Sequence, residues 1–178
     1  MPVREFENHT PRLAAGVYVD ETALVIGDVD IGADSSIWPY SVVRGDVNHI
    51  RIGARSNIQD HCTLHVTHKS RYNPDGVACQ VGDDVTVGHQ VVLHACRVEN
   101  NCLIGMGSII MDRAHLGEYS LVGAGSLVTE GTVLEGGYLW VGRPARRVRA
   151  LTEQERNYIE YSAANYVRLK QRYLPASP

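Results

Sequence analysis

Residues 98–134 read VENNCLIGMGSIIMDRAHLGEYSLVGAGSLVTEGTVL, and within them Val98, Ile104, Ile110, Leu116, Val122, Val128 and Leu134 fall at every sixth position. A helix places apolar residues three and four apart and a half-buried strand places them at every second residue, so a sustained six fits neither alone. It fits short strands joined at corners, each sending one aliphatic inward. Working outward, the same spacing runs through Val81, Val87 and Leu93 before a slip of one residue. Earlier it runs through Ile52, Ile58 and Leu64, and, beyond a three-residue shift, through Val19, Val25, Ile31, Ile37 and Val43. Gly follows the aliphatic at Gly32, Gly53, Gly82, Gly88, Gly105, Gly117 and Gly123, and compact residues such as Ser35, Ser56, Cys62, Ser108 and Ser126 stand four after it. The aliphatic points into a narrow interior, and the compact residue sits where the chain turns. Three hexads then make one triangular coil, and coils stack at the strand spacing of about 4.8 Å. The expected fold is an all-β solenoid, a parallel β-helix. A β-sandwich would need hairpin turns every few residues, and Asp75-Gly76 stands nearly alone as such a signal.

The repeat assigns residues 1–150 to the β-helix, with an interrupting loop at 67–80. Thr152-Glu153-Gln154-Glu155 is a capping-box pattern, and Ile159, Ser162, Tyr166, Leu169 and Tyr173 then share one helical face. A helix over 151–174 is expected to lie along the prism, with a short tail at 175–178. At 178 residues and 44% hydrophobic, the chain has room for one core. A net charge of −3 offers no footprint for nucleic acid. No apolar run approaches bilayer length and the N-terminus carries no leader pattern, so no membrane partner and a cytoplasmic location are expected. Cys62, Cys79, Cys96 and Cys102 lack C-x-x-C spacing and read first as packing residues, with a redox role among them left open.

Of eight histidines, three are singled out by register. Ile52, Ile58 and Leu64 occupy three successive faces, and Val81, Val87 and Leu93 repeat those faces one coil later, so Leu64 and Leu93 stack. His65 and His94 each follow one of those aliphatics and point outward from one face, close enough to share a metal. His89 lies around a corner, where a neighbouring subunit of a trimer brings it to the same ion. Three imidazoles with an open fourth position are the donor set of a catalytic zinc site. Asp60 stacks beneath His89, Gln59 lies beside it, and Arg44 with Asp46 belongs to the coil below His65. His9, His49, His61, His68 and His115 fall outside this constellation.

These residues, Arg44-Gly45-Asp46, Asn57-Ile58-Gln59-Asp60, His65, Gly88-His89 and His94, resemble the motif series of gamma-class carbonic anhydrases, hexapeptide-repeat proteins of the left-handed β-helix fold. The resemblance runs from about Val19 to Tyr173. It implies a homotrimer in which His65, His89 and His94 bind Zn2+, or Fe2+ or Co2+, with Arg44, Asp46, Gln59 and Asp60 around the metal and the interface. Tyr161 and Asn165 on the final helix are the expected pocket residues. The implied reaction is hydration of CO2 to bicarbonate by metal-bound hydroxide. The sequence departs from the family pattern at Val47, where a Glu follows Arg-Gly-Asp, and in the loop, which has Asp75 but no Glu; His68 is the candidate proton carrier instead. Three other functions stay open: a thioester metallohydrolase using the same site, a hexapeptide acyltransferase, and a metal-stabilised scaffold without catalysis.

Overall fold

The computed structural model describes residues 1–174; the tail expected at 175–178 lies outside the described residues. The chain is a left-handed parallel β-helix. Face 1 stacks Tyr18–Val19, Ser36–Ile37, Asn57–Ile58, Thr86–Val87, Leu103–Ile104, Leu121–Val122 and Tyr138–Gly142 in parallel, and the antiparallel strand Ala145–Ala150 closes its end. Face 2 carries Thr63–His65, Val92–His94, Ile109–Ile110 and Leu127–Val128 above the first halves of Leu24–Ile31 and Val42–Ile52. The second halves of those two long strands turn onto face 3, below Cys79–Val81, Arg97–Val98, His115–Leu116 and Val133–Leu134.

The ladder register joins the hexad aliphatics directly. Ile37, Ile58, Val87, Ile104 and Val122 stack on face 1, and Val43, Leu64, Leu93, Ile110 and Val128 on face 2. Ile31, Ile52, Val81, Val98 and Leu116 do so on face 3. Most of these side chains are fully buried, each contributing about 1.5–3 kcal/mol by leaving water. The compact corner residues have a second task, since Ser35, Ser41 and Ser56 donate their hydroxyls to the carbonyls of Gly53, Gln59 and Gly82 at 2.6–2.7 Å. Glycine after the aliphatic is required by the coil above: a Cβ on Gly53 would stand 2.5 Å from the carbonyl carbon of Gly82.

The C-terminal helix spans Glu153–Lys170. Thr152 caps it and Glu155 reaches back to the Thr152 backbone, closing the box. It lies on face 1 over Ser36–Ile37, Asn57–Ile58 and Thr86–Val87, burying Ile159 and Ala163. Trp38 packs edge-on against Tyr166 and Tyr173, and the fully buried Lys170 ammonium donates to Gly16 O at 2.6 Å and Asp34 Oδ1 at 2.9 Å. That contact ties the helix end to the first coil.

Candidate metal centre

Face 2 places His65 and His94 in the same register position of adjacent coils. Their rings are 5.2 Å apart between centroids, with His65 Nδ1 and His94 Nε2 separated by 3.2 Å. The outer nitrogen of each ring has its own carboxylate: His65 Nε2 meets Asp46 Oδ1 at 3.0 Å and His94 Nδ1 meets Asp112 Oδ1 at 2.6 Å. A carboxylate accepts a proton-borne hydrogen bond, so the hydrogen-bond pattern assigns the N–H of each ring to its outer nitrogen. With those tautomers, two ring lone pairs face each other across the 3.2 Å that separates His65 Nδ1 from His94 Nε2. That arrangement is repulsive until a cation enters it, and two nitrogens on one tetrahedral zinc stand about 3.3 Å apart. The donor set fits a metal.

His89 projects from the corner between faces 1 and 2, and its Nδ1 meets Asp60 Oδ2 at 2.9 Å, leaving Nε2 to point outward. Among the described residues, no three His, Cys, Asp or Glu side chains of one chain converge on a point a metal could occupy. His65 and His94 come together; His89 does not join them within one chain.

The surroundings favour a neutral His65 and charged Asp46 and Asp112. Burial pushes the His65 imidazole below its usual range, against the upward pull of Asp46. Burial by itself would raise Asp46, but hydrogen bonds from Arg44, at 2.5 Å, and His65 outweigh it and hold the carboxyl low. Asp112 is likewise held low despite burial, by the Thr67 hydroxyl and His94. Thr67 opens the loop to Cys79, so the loop anchors itself to the residue that orients His94.

A cavity of about 230 Å³ opens beside His89, walled by Gln59, Thr86, Met106 and three helix residues, Tyr158, Ser162 and Tyr166. These three recur at four-residue intervals and so share one face. Tyr161 belongs to the next groove, with Leu121 and Gln154, and is 57% exposed. Asn165 is half-buried and does not line the cavity either. On the other side of Asp46, Val47, Asn48, His49, His68 and Lys69 line a second cavity with Phe6 and His9 of the N-terminal segment.

A family model described as bacterial transferase hexapeptide (six repeats) matches residues 95–130. A carbonic anhydrase of Geobacillus kaustophilus is 45% identical over 94% of this chain and 88% of its own. The mitochondrial gamma carbonic anhydrase 2 of Arabidopsis thaliana is 43% identical over 91% of this chain and 58% of its own. The chain belongs to the gamma carbonic anhydrase-like family. A solved hexapeptide transferase family protein of Anaplasma phagocytophilum superposes with a TM-score of 0.89, at 40% identity, over 97% of this chain and 98% of that one.

Within this gamma carbonic anhydrase-like chain, sequence reasoning passed over Asp112, Thr86 and Tyr158, and placed Ser162 and Tyr166 on the packed helix face without assigning them to the site. Asp112 was accessible in principle, because Ile110 stacks on Leu93 and two residues further brings Asp112 over His94. The four cysteines are buried and unpaired by disulfide. Burial pushes the Cys62 and Cys102 thiols up to about 12, and Cys96 is raised first by its contact with the Cys79 thiol and then by burial. Such thiols stay protonated at neutral pH.

Proposed function

We propose that this protein is a metal-dependent carbonic anhydrase acting as a homotrimer on CO2 and bicarbonate. Zn2+, with Fe2+ or Co2+ as alternatives, would be held by His65 and His94 of one protomer and His89 of the next. The observation that carries the reading is the 3.2 Å approach of His65 Nδ1 and His94 Nε2, with an aspartate on the other nitrogen of each ring. When bound, the ion would lower the pKa of a coordinated water enough to supply a hydroxide nucleophile near neutral pH.

The chain's own residues do the rest. Asp46, Asp60 and Asp112 hold the three imidazoles in the tautomers that leave a nitrogen free. Arg44 keeps Asp46 ionised. Gln59 offers its side-chain amide to the cavity beside His89, which Tyr158, Tyr166 and Met106 also line. His68 lines the cavity on the far side of Asp46 and is the proposed proton carrier in place of a loop glutamate. The gamma carbonic anhydrase relatives support the reaction class.

The test is metal analysis beside CO2 hydration for the tag-free protein and a His89→Ala variant. The reading requires about one ion per subunit, lost together with activity in the variant; a metal-free, unresponsive protein sinks it. A second reading is thioester hydrolysis at the same site, with the groove of about 420 Å³ along Leu121, Tyr158 and Tyr161, next to the His89 cavity, as room for a larger acyl substrate. An acyl-CoA assay in parallel separates the two.

A further inference from the structure

Gln59 is only 6% exposed, and its amide sits at the end of a buried polar chain that begins on the helix. Gln59 Nε2 donates to Asn57 Oδ1 at 3.1 Å. Asn57 Nδ2 donates in turn to Thr86 Oγ1 at 3.0 Å and, more weakly, to Val85 O at 3.4 Å. Thr86 Oγ1 lies 3.0 Å from Ser162 Oγ, with one proton shared in either sense. Asn57 is fully buried and Thr86 is 3% exposed, so neither has water to fall back on.

The sequence of donors and acceptors fixes an orientation. The Val85 carbonyl can only accept, so Asn57 presents its NH2 toward Val85 O and Thr86 Oγ1, which turns the Asn57 carbonyl toward Gln59. That carbonyl accepts only from an N–H, so Gln59 must place Nε2 inward and its Oε1 the other way. Reversing either amide sets oxygen against oxygen in a buried site. Gln59, Thr86 and Ser162 also wall the same cavity as His89.

We propose that Thr86 and Ser162 are positioning residues: through Asn57, whose orientation the Val85 carbonyl fixes, they hold the Gln59 amide in place at the His89 cavity, making the C-terminal helix part of the site. The inference rests on the carbonic anhydrase reading for its catalytic consequence but not for the hydrogen-bond chain itself.

Two measurements separate these. In metal-free protein labelled with nitrogen-15, the Gln59 side-chain amide protons are expected as a slowly exchanging pair. Thr86→Val and Ser162→Ala are expected to speed that exchange at least about tenfold, since each removes a link of the chain. Ser162→Thr, which restores the hydroxyl, is expected to reverse it. Alanine is the better helix former, so Ser162→Ala keeps the helix and remains readable even where Thr86→Val folds poorly. In the metal-loaded enzyme the same variants are expected to lower kcat about ten- to a hundredfold with KM and metal content unchanged. Unchanged Gln59 exchange in Ser162→Ala overturns the proposal. Altered exchange in a protein with no hydration activity upholds the positioning chain and removes the reaction instead.

Discussion

At the level of single residues, the carboxylate behind each histidine decides which nitrogen is left to bind. Asp112 does this for His94 and is itself held by Thr67 at the loop entrance. Asp112→Asn keeps the shape but removes the charge that raises the basicity of the ring, and metal affinity is expected to fall about ten- to a hundredfold. Competition with a chromophoric chelator measures this, and an unchanged affinity takes Asp112 out of the site. The pairing of His65 with His94 was legible because the hexad fixes their register: one residue past Leu64 and one past Leu93 is the same place on adjacent coils. Asp112 was harder to see because its contact is diagonal, from the coil above, and no local motif marks it. Tyr161 and Asn165 came from the motif resemblance rather than from a register, and within one chain they do not line the cavity beside His89. A strand register is quantised by its ladder, whereas a helix resting on a face is free to rotate, and only the packing of Ile159 and Ala163 settles where Tyr158, Ser162 and Tyr166 point.

At the level of elements, the repeat shows in the sequence what buries but not what strains. The third residue after most inward aliphatics takes the left-handed conformation, including Asp34, Tyr40, Arg55, His61, Asp84, Gln90, Asn101, Arg113 and Tyr119, and glycine fills that place only at Gly107, Gly125, Gly131 and Gly137. Non-glycine residues there cost on the order of 1 kcal/mol each, which the buried columns offset. Shortening a column shows the balance: Ile110→Ala is expected to cost about 2–5 kcal/mol in thermal or denaturant unfolding. The helix cap was plain in the sequence, because a capping box needs only two residues at the right spacing. Thr152→Ala is expected to cost about 1 kcal/mol, read from the loss of helical circular dichroism on heating. Arg149 first, and then Thr152, lower the Glu155 carboxyl to about 2. The unfolded chain therefore takes up this proton before the folded one as acid is added. The cap's contribution is full above the ordinary glutamate range near 4.3 and is lost as pH falls toward 2. Glu155→Gln is expected to flatten the pH dependence of helix melting in that window, and a curve that keeps the wild-type slope assigns the acid sensitivity to other groups.

At the level of the whole molecule, the division of ligands between one face and the next corner makes the proposed metal site a property of the assembly. In the proposed closed ring of identical subunits, every interface would pair the His65 and His94 face of one protomer with the His89 corner of its neighbour. Two defective proteins then repair each other. His89→Ala chains keep a sound face and His94→Ala chains keep a sound corner, and each alone builds rings in which every site lacks a ligand. Unfolded together in equal amounts and refolded, they form mixed rings of either two-to-one composition. Going round such a ring, one interface joins a sound face to a sound corner, another lacks one ligand and the last lacks two. Random mixing makes about three quarters of the rings mixed, each with one intact site of three, so metal binding and activity are expected to recover to about one quarter of wild type. If instead all ligands came from a single chain, no mixture could complete a site, and recovery would be nil at any ratio. The fraction recovered thus reads the geometry of the site without needing the structure of the assembly, and it does so equally for CO2 hydration or thioester hydrolysis.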